Sequence, residues 1–124
     1  MKISEIPEVA AEYDNDFIFA FCTFLDEFYH SDSEEKTSLL ADEPEQGVLK
    51  HKELCMLACA AHKLANDNKI TPPEWVYDKK FTLKKPVYAF DTKNKEYREL
   101  LKETSPDEYK VRNLFYGSNV LKRV

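Results

Sequence analysis

The stretch from Leu49 to Trp75 constrains the fold most strongly, because most of it reads as one long helix. It contains no glycine and its first proline is Pro72, so nothing interrupts a helix from about residue 49 to residue 66. At about 100° per residue, one face of this helix carries Leu54, Leu57, Ala58, Ala61, Leu64 and Ala65. Its many alanines favour close approach of a neighbouring helix. We therefore expect this helix to lie at the centre of the fold.

A second central helix is predicted from residue 14 to residue 29, with Asp14 as its N-cap. Apolar side chains recur there at helical period and form one broad stripe: Phe17, Ile18, Phe21, Phe24, Leu25 and Phe28. Five of the 8 phenylalanines lie between Phe17 and Phe28. Because aromatic side chains bury large areas, this helix should supply much of the core.

The remaining sequence predicts shorter helices and very little sheet. Ser105, Pro106 and Glu108 have the order of an N-cap, a first-turn proline and a capping-box glutamate. Residues 79–90 favour one extended segment without a strand partner long enough for a proper sheet. The 2 glycines argue against a sheet-rich fold and against a glycine-rich phosphate loop. We predict one all-α domain over residues 1–124, a compact bundle of about five to six helices.

The sequence indicates neither a membrane segment nor a signal peptide. No apolar run approaches the ~20 residues of a membrane span, and the first residues lack an apolar signal core. The 3 cysteines, Cys22, Cys55 and Cys59, are an odd number in largely apolar surroundings, which is typical of reduced thiols. We therefore expect a cytoplasmic protein with no membrane partner.

The charge is unevenly divided along the chain. Residues 1–48 carry 13 acidic and 2 basic side chains, whereas residues 49–124 carry 10 acidic and 16 basic side chains. The two halves can attract each other across the fold, or each can present a face of one sign to a partner.

Histidine and cysteine side chains recur on the predicted central helix at His51, Cys55, Cys59 and His62. Neighbours at i and i+4 can share a metal ion. All four span about 16 Å of helix axis at ~1.5 Å per residue, so they cannot surround one ion without ligands from elsewhere. We interpret the cysteines as small apolar fillers and predict no metal site and no cofactor, with metal binding as the alternative.

No catalytic signature is present. The chain has no Walker loop, no G-x-S-x-G and no H-E-x-x-H motif, and its cysteines lack an activating context. We therefore predict that the protein is not an enzyme.

Basic side chains cluster in the second half and alternate with aromatic ones. An ordinary solvated face explains this pattern, and a patch for an acidic protein or an RNA segment is the functional alternative. The basic residues are Lys79, Lys80, Lys84, Lys85, Lys93, Lys95, Arg98, Lys102, Lys110, Arg112, Lys122 and Arg123.

A series of short motifs follows in the second half of the chain. In order they are Pro73-Glu74-Trp75, Lys85-Pro86, Glu99-Leu100-Leu101, Ser105-Pro106, Tyr109, Arg112-Asn113-Leu114-Phe115 and Leu121. Over residues 49–124 this resembles a group of small bacterial helical proteins with a PxW…SPxxFRxRNxF…L pattern. Some of them are regarded as antitoxin-type partners of nucleotidyltransferase-like proteins. Tyr109 and Lys110 replace the usual Phe-Arg, which weakens any arginine-based contact there.

The resemblance implies a protein-binding regulator that docks on a partner protein through its charged surfaces, in an antitoxin-like manner. The partner expected on this basis is a nucleotidyltransferase-like protein. The predicted partner-binding residues, which contact the partner or hold the contact surface, are Arg112, Asn113, Phe115, Arg98 and Trp75. An accessory nucleic-acid-binding protein that uses the basic second half is the alternative.

Overall fold

The structure is a computed structural model that describes residues 1–123. Within this range the fold is built from six α-helices. They are α1 (Ile6–Glu12), α2 (Phe17–Tyr29), α3 (Ser33–Leu40), α4 (His51–Asp67), α5 (Lys95–Thr104) and α6 (Asp107–Lys110). Short 3-10 turns occur at Ile3–Glu5, Glu74–Tyr77, Lys79–Phe81 and Ala89–Asp91. The prediction of an all-α fold is thereby confirmed. The predicted domain includes Val124, which lies outside the described residues.

Helix α4 is the central element, as its alanine-rich face predicts. Every residue from Leu57 to Ala61 is buried, so this stretch of α4 is covered on all sides. Helix α3, helix α6 and the turns at Glu74–Tyr77 and Lys79–Phe81 pack around it. The small side chains let these elements approach closely, which explains how the middle of α4 is covered on all sides.

Helix α2 supplies the aromatic part of the core and packs against α1. Phe17, Phe21, Phe24 and Phe28 are all buried. Ile18, which the sequence placed in the same apolar stripe, is instead 59% exposed. The stripe is therefore narrower than predicted, because nothing packs over the start of α2 on that side.

The predicted N-cap of α2 is wrong by two residues. Asp14 and Asn15 take left-handed backbone angles, φ 57° and 61°, in the turn that follows α1. Both residue types tolerate this conformation better than most. Helix α2 can begin only after this turn, and Asp16 caps it by accepting a hydrogen bond of 3.0 Å from the Phe19 amide.

Residues 79–90 contain more structure than the predicted extended segment. A 3-10 turn occupies Lys79–Phe81, and β1 (Val87–Tyr88) pairs in parallel with β2 (Leu114–Phe115). Val87 lies opposite Leu114 and Tyr88 lies opposite Phe115. Each strand has only two residues, too few for an alternating pattern to be visible in the sequence, and parallel pairing needs a long connection between the strands.

Ser105 does not cap a helix as predicted. Helix α6 begins at Asp107, with Pro106 in the N-cap position. The buried Ser105 hydroxyl accepts a hydrogen bond of 2.9 Å from the Gly117 amide instead. This hydrogen bond therefore joins the segment at Gly117 to the residue that precedes the N-cap of α6.

The two oppositely charged halves meet in the folded chain. Lys80 lies 3.0 Å from Glu43, and Arg123 forms a two-pronged contact with Asp26 at 2.8 and 3.0 Å. The hydrogen bond from Arg123 lowers the pKa of Asp26.

Among residues 1–123, no helix has the length and apolarity needed to cross a membrane.

Candidate functional site

Arg112, the first predicted partner-binding residue, lies in the interior with only 4% of its surface exposed. Its guanidinium donates hydrogen bonds to the carbonyl oxygens of Glu108 at 2.7 Å and Val76 at 2.6 Å. It also lies 3.2 Å from Nδ1 of His62, which must accept because arginine only donates. Arg112 therefore ties α6, α4 and the Glu74–Tyr77 turn together, and its side chain holds the fold rather than facing solvent.

Asn113 fixes the segment that runs alongside β2. Its backbone is left-handed, with φ 65°, a conformation in which asparagine is among the favoured residues. Its side-chain amide donates to the Leu83 carbonyl at 2.6 Å, and its own carbonyl accepts from the Val87 amide at 2.8 Å. Asn113 thus clamps residues 83–87 against the start of β2.

Phe115 and Arg98 meet at the surface through Tyr88. The Tyr88 and Phe115 rings stack with centroids 5.4 Å apart and planes 24° apart. The Arg98 guanidinium lies 4.6 Å from the centre of the Tyr88 ring, within cation–π range. Arg98 also donates a hydrogen bond of 2.7 Å to the Thr92 carbonyl. We call Arg98, Tyr88 and Phe115 the aromatic stack. Exposed lysines lie on either side of Tyr88 in the chain, at positions 84, 85 and 93.

Trp75 lies apart from the aromatic stack. Its indole nitrogen donates to the Leu40 carbonyl at 3.1 Å, and its ring meets Phe81 edge-on at 5.5 Å. It therefore joins α3 to the Lys79–Phe81 turn. Arg98 and Phe115 both contact the Tyr88 ring, and Asn113 is close to Phe115 in the chain. Trp75 instead contacts Leu40 and Phe81, on another part of the fold.

Phe90 is a surface feature that the sequence analysis missed. Its side chain is 92% exposed, and its backbone is left-handed with φ 58°, followed by Asp91 with φ 50°. This conformation costs an L-residue other than glycine about 1–2 kcal/mol. Such strained positions are enriched at binding and catalytic sites. A fully presented aromatic ring on a strained turn is therefore the strongest candidate for a contact residue on this surface.

An open groove of about 600 Å³ lies between α2, α4 and the second half of the chain. Its walls are mainly apolar and aromatic, and Phe90 stands at its rim. Lining side chains include Phe17, Phe21, Met56, Phe90, Tyr109 and Tyr116. Burial raises the pKa of both Tyr109 and Tyr116, so both hydroxyls are protonated at neutral pH.

One histidine and one cysteine of α4 contact each other, because Nε2 of His51 lies 3.7 Å from the sulfur of Cys55. His51 donates from Nε2 to the Lys80 carbonyl at 2.6 Å, whereas His62 contacts Arg112. Burial raises the pKa of Cys55 to about 11 and that of Cys59 to about 12, so both thiols stay protonated. No group of three or more histidine, cysteine or acidic side chains in residues 1–123 is placed to hold a metal ion.

Comparison with known proteins found no matching family model, no matching curated protein and no matching solved structure.

Proposed function

We propose that this chain is a non-enzymatic protein-binding regulator of the antitoxin type, which docks on a partner protein with Phe90 as its apolar anchor. The observation that carries the proposal is the 92% exposure of Phe90 on a left-handed turn. Buried aromatic anchors dominate the energy of many interfaces, and Phe90 is the most exposed large apolar side chain within residues 1–123.

The charges around Phe90 favour an acidic partner surface. Tyr88 and the exposed lysines at 84, 85 and 93 lie on the segment that leads into and out of the turn, and Arg98 covers Tyr88. Such peripheral charges mainly accelerate association and select the partner, whereas the apolar anchor supplies the affinity. The sequence resemblance implies a nucleotidyltransferase-like protein as the partner, and the proposed docking mode requires an acidic surface on it.

The test is co-expression with the nucleotidyltransferase-like protein expected beside the gene, followed by co-purification at low salt. Phe90→Asn removes the anchor but keeps a residue that tolerates the left-handed backbone. Loss of a central aromatic contact costs about 2–4 kcal/mol, so we expect the dissociation constant to rise by roughly 30-fold or more.

Leu100→Gln is the matched control, because Leu100 is also apolar and 52% exposed but lies on α5 outside the groove. Its dissociation constant should stay within about twofold of that of the unaltered chain. Equal loss in both variants, or no loss in Phe90→Asn, contradicts the proposed docking mode. An unaltered chain that never captures the partner contradicts the proposed function.

A second candidate is an accessory nucleic-acid-binding function, which the aromatic stack favours. Proteins that bind single strands combine aromatic side chains with surrounding cations, and the stack has both. Binding of a labelled single-stranded RNA should then weaken steeply with salt, because phosphate contacts release counterions. Absence of binding at low salt, or binding that ignores salt, counts against this candidate.

A further inference from the structure

We propose that the groove beside Phe90 is a binding site for a small planar aromatic molecule that carries one carboxylate. This site goes beyond the protein-docking function, because it needs no partner protein. The molecule would lie between the aromatic walls and direct its carboxylate toward tyrosine hydroxyls and a lysine.

The first reason is an unused hydrogen-bonding group at the bottom of the groove. Tyr109 is only 1% exposed and packs against Cys55, Cys59 and Leu114. Its hydroxyl forms no hydrogen bond to any other group within residues 1–123. No side-chain nitrogen or oxygen in that range is both sealed from solvent and unpartnered, so this hydroxyl keeps some contact with solvent, and Tyr109 is one of the residues that line the groove.

Two further tyrosines line the same groove. The hydroxyls of Tyr97 and Tyr116 also lack a hydrogen-bond partner in the described part of the chain, and both side chains are half-buried. Burial raises the pKa of Tyr109 and of Tyr116, so both remain phenols that can donate a hydrogen bond, and a carboxylate only accepts. A ligand with an anionic oxygen group can therefore accept hydrogen bonds from these hydroxyls.

The charge on the wall points in the same direction. Lys52 lines the groove and forms no ion pair among residues 1–123. The neighbouring Glu53 also lines it, but its carboxylate already accepts a hydrogen bond of 3.0 Å from the Lys50 amide at the start of α4. An anionic ligand would thus find in Lys52 a cation without an ion-pair partner among residues 1–123, beside a carboxylate of which one oxygen already accepts a hydrogen bond.

The apolar walls and the volume of the groove indicate the shape and size of the rest of the ligand. Phe17 and Phe21 stack with centroids 5.6 Å apart, and Met56, which also lines the groove, packs on the cluster that contains Tyr109. Aromatic rings and a thioether both pack well on a flat aromatic ligand. The volume of about 600 Å³ lies within the range of small-molecule sites.

The experiment is isothermal titration calorimetry of the whole chain with naphthoate and with naphthamide, its uncharged analogue of the same shape. We expect naphthoate to bind more tightly. Tyr109→Phe deletes only the hydroxyl, and loss of a hydrogen bond to a charged group should weaken naphthoate binding by roughly tenfold. Lys52→Gln should weaken naphthoate by about threefold and leave naphthamide unchanged.

Tyr77→Phe is the control, since Tyr77 is 60% exposed and lies outside the groove lining. It should bind naphthoate as the unaltered chain does. Thermal unfolding of each variant checks the fold, and Lys52→Gln tests the site independently if Tyr109→Phe is unstable. The proposal is overturned if neither compound binds at millimolar concentration, if both bind equally, or if Tyr109→Phe and Tyr77→Phe behave alike. None of these outcomes depends on partner binding, so they leave the proposed function to its own test.

Discussion

Replacing Arg112 with methionine should strongly destabilise the protein. Methionine keeps most of the apolar length of the side chain, so the change removes mainly the guanidinium and its hydrogen bonds. Two of these bonds, at 2.6 and 2.7 Å, run to the carbonyl oxygens of Val76 and Glu108. A hydrogen bond to a charged group contributes about 1.5–3 kcal/mol, and part of this is recovered because a buried charge no longer has to be desolvated. We expect the free energy of unfolding to fall by about 3 kcal/mol.

Urea denaturation followed by tryptophan fluorescence measures this loss. With a slope of about 1.5–2 kcal/mol/M, the midpoint should fall by roughly 1.5–2 M while the slope stays the same. Lys102→Met is the control, because Lys102 is exposed and makes only a weak helical contact of 3.7 Å with Glu99. Its midpoint should barely move. A loss below about 1 kcal/mol in Arg112→Met would refute the conclusion that Arg112 holds three elements together.

Two further predictions concern the cysteines and His62. In the native protein a thiol reagent such as DTNB should modify Cys22 quickly, and Cys55 and Cys59 only after urea is added. Burial shields the thiols of Cys55 and Cys59 and raises their pKa to about 11 and about 12, respectively. Equal reaction of all three cysteines in the native state would contradict this prediction. Burial, with a contribution from the charge of Arg112, lowers the pKa of folded His62 below its ordinary value of 6.5, so the unfolded chain binds the proton more readily. The free energy of unfolding should therefore lose nothing to His62 well above pH 6.5 and should fall as the pH decreases below this value. His62→Gln should flatten this part of a profile of urea midpoint against pH. A His62→Gln profile as steep as that of the unaltered chain would contradict the prediction.

The central helices could be predicted because their signal is local and repeated. Nine residues of α4 are buried, and six of them were predicted from the period of the sequence alone. The ends of helices depend on single residues, and there the prediction was less accurate. Asp14 and Asp16 are equally good caps as residue types, and only the left-handed turn at Asp14 and Asn15 decides between them.

The arrangement of the candidate site could not be predicted, because it depends on contacts between distant parts of the chain. Tyr88 and Phe115 stack because two dipeptides 27 residues apart pair in parallel, and strands this short leave no periodic signal. The sequence analysis named Arg112 as a partner-binding residue, whereas the structure places it in the interior. Its burial follows from carbonyl groups on other elements, which no local pattern reveals.

Phe90 was missed for a related reason, and the contacts on either side of it explain how its strained turn is maintained. Phenylalanine disfavours the left-handed conformation, so local preference argues against such a turn. Before the turn, Asn113 holds Leu83 and Val87 by hydrogen bonds to their backbones. After it, Arg98 holds the Thr92 carbonyl and also covers Tyr88. Two residues that the sequence analysis assigned to partner contact therefore clamp both ends of the turn. If Phe90 is the anchor, Asn113 and Arg98 act mainly through its position, and changing either should weaken docking less than Phe90→Asn does.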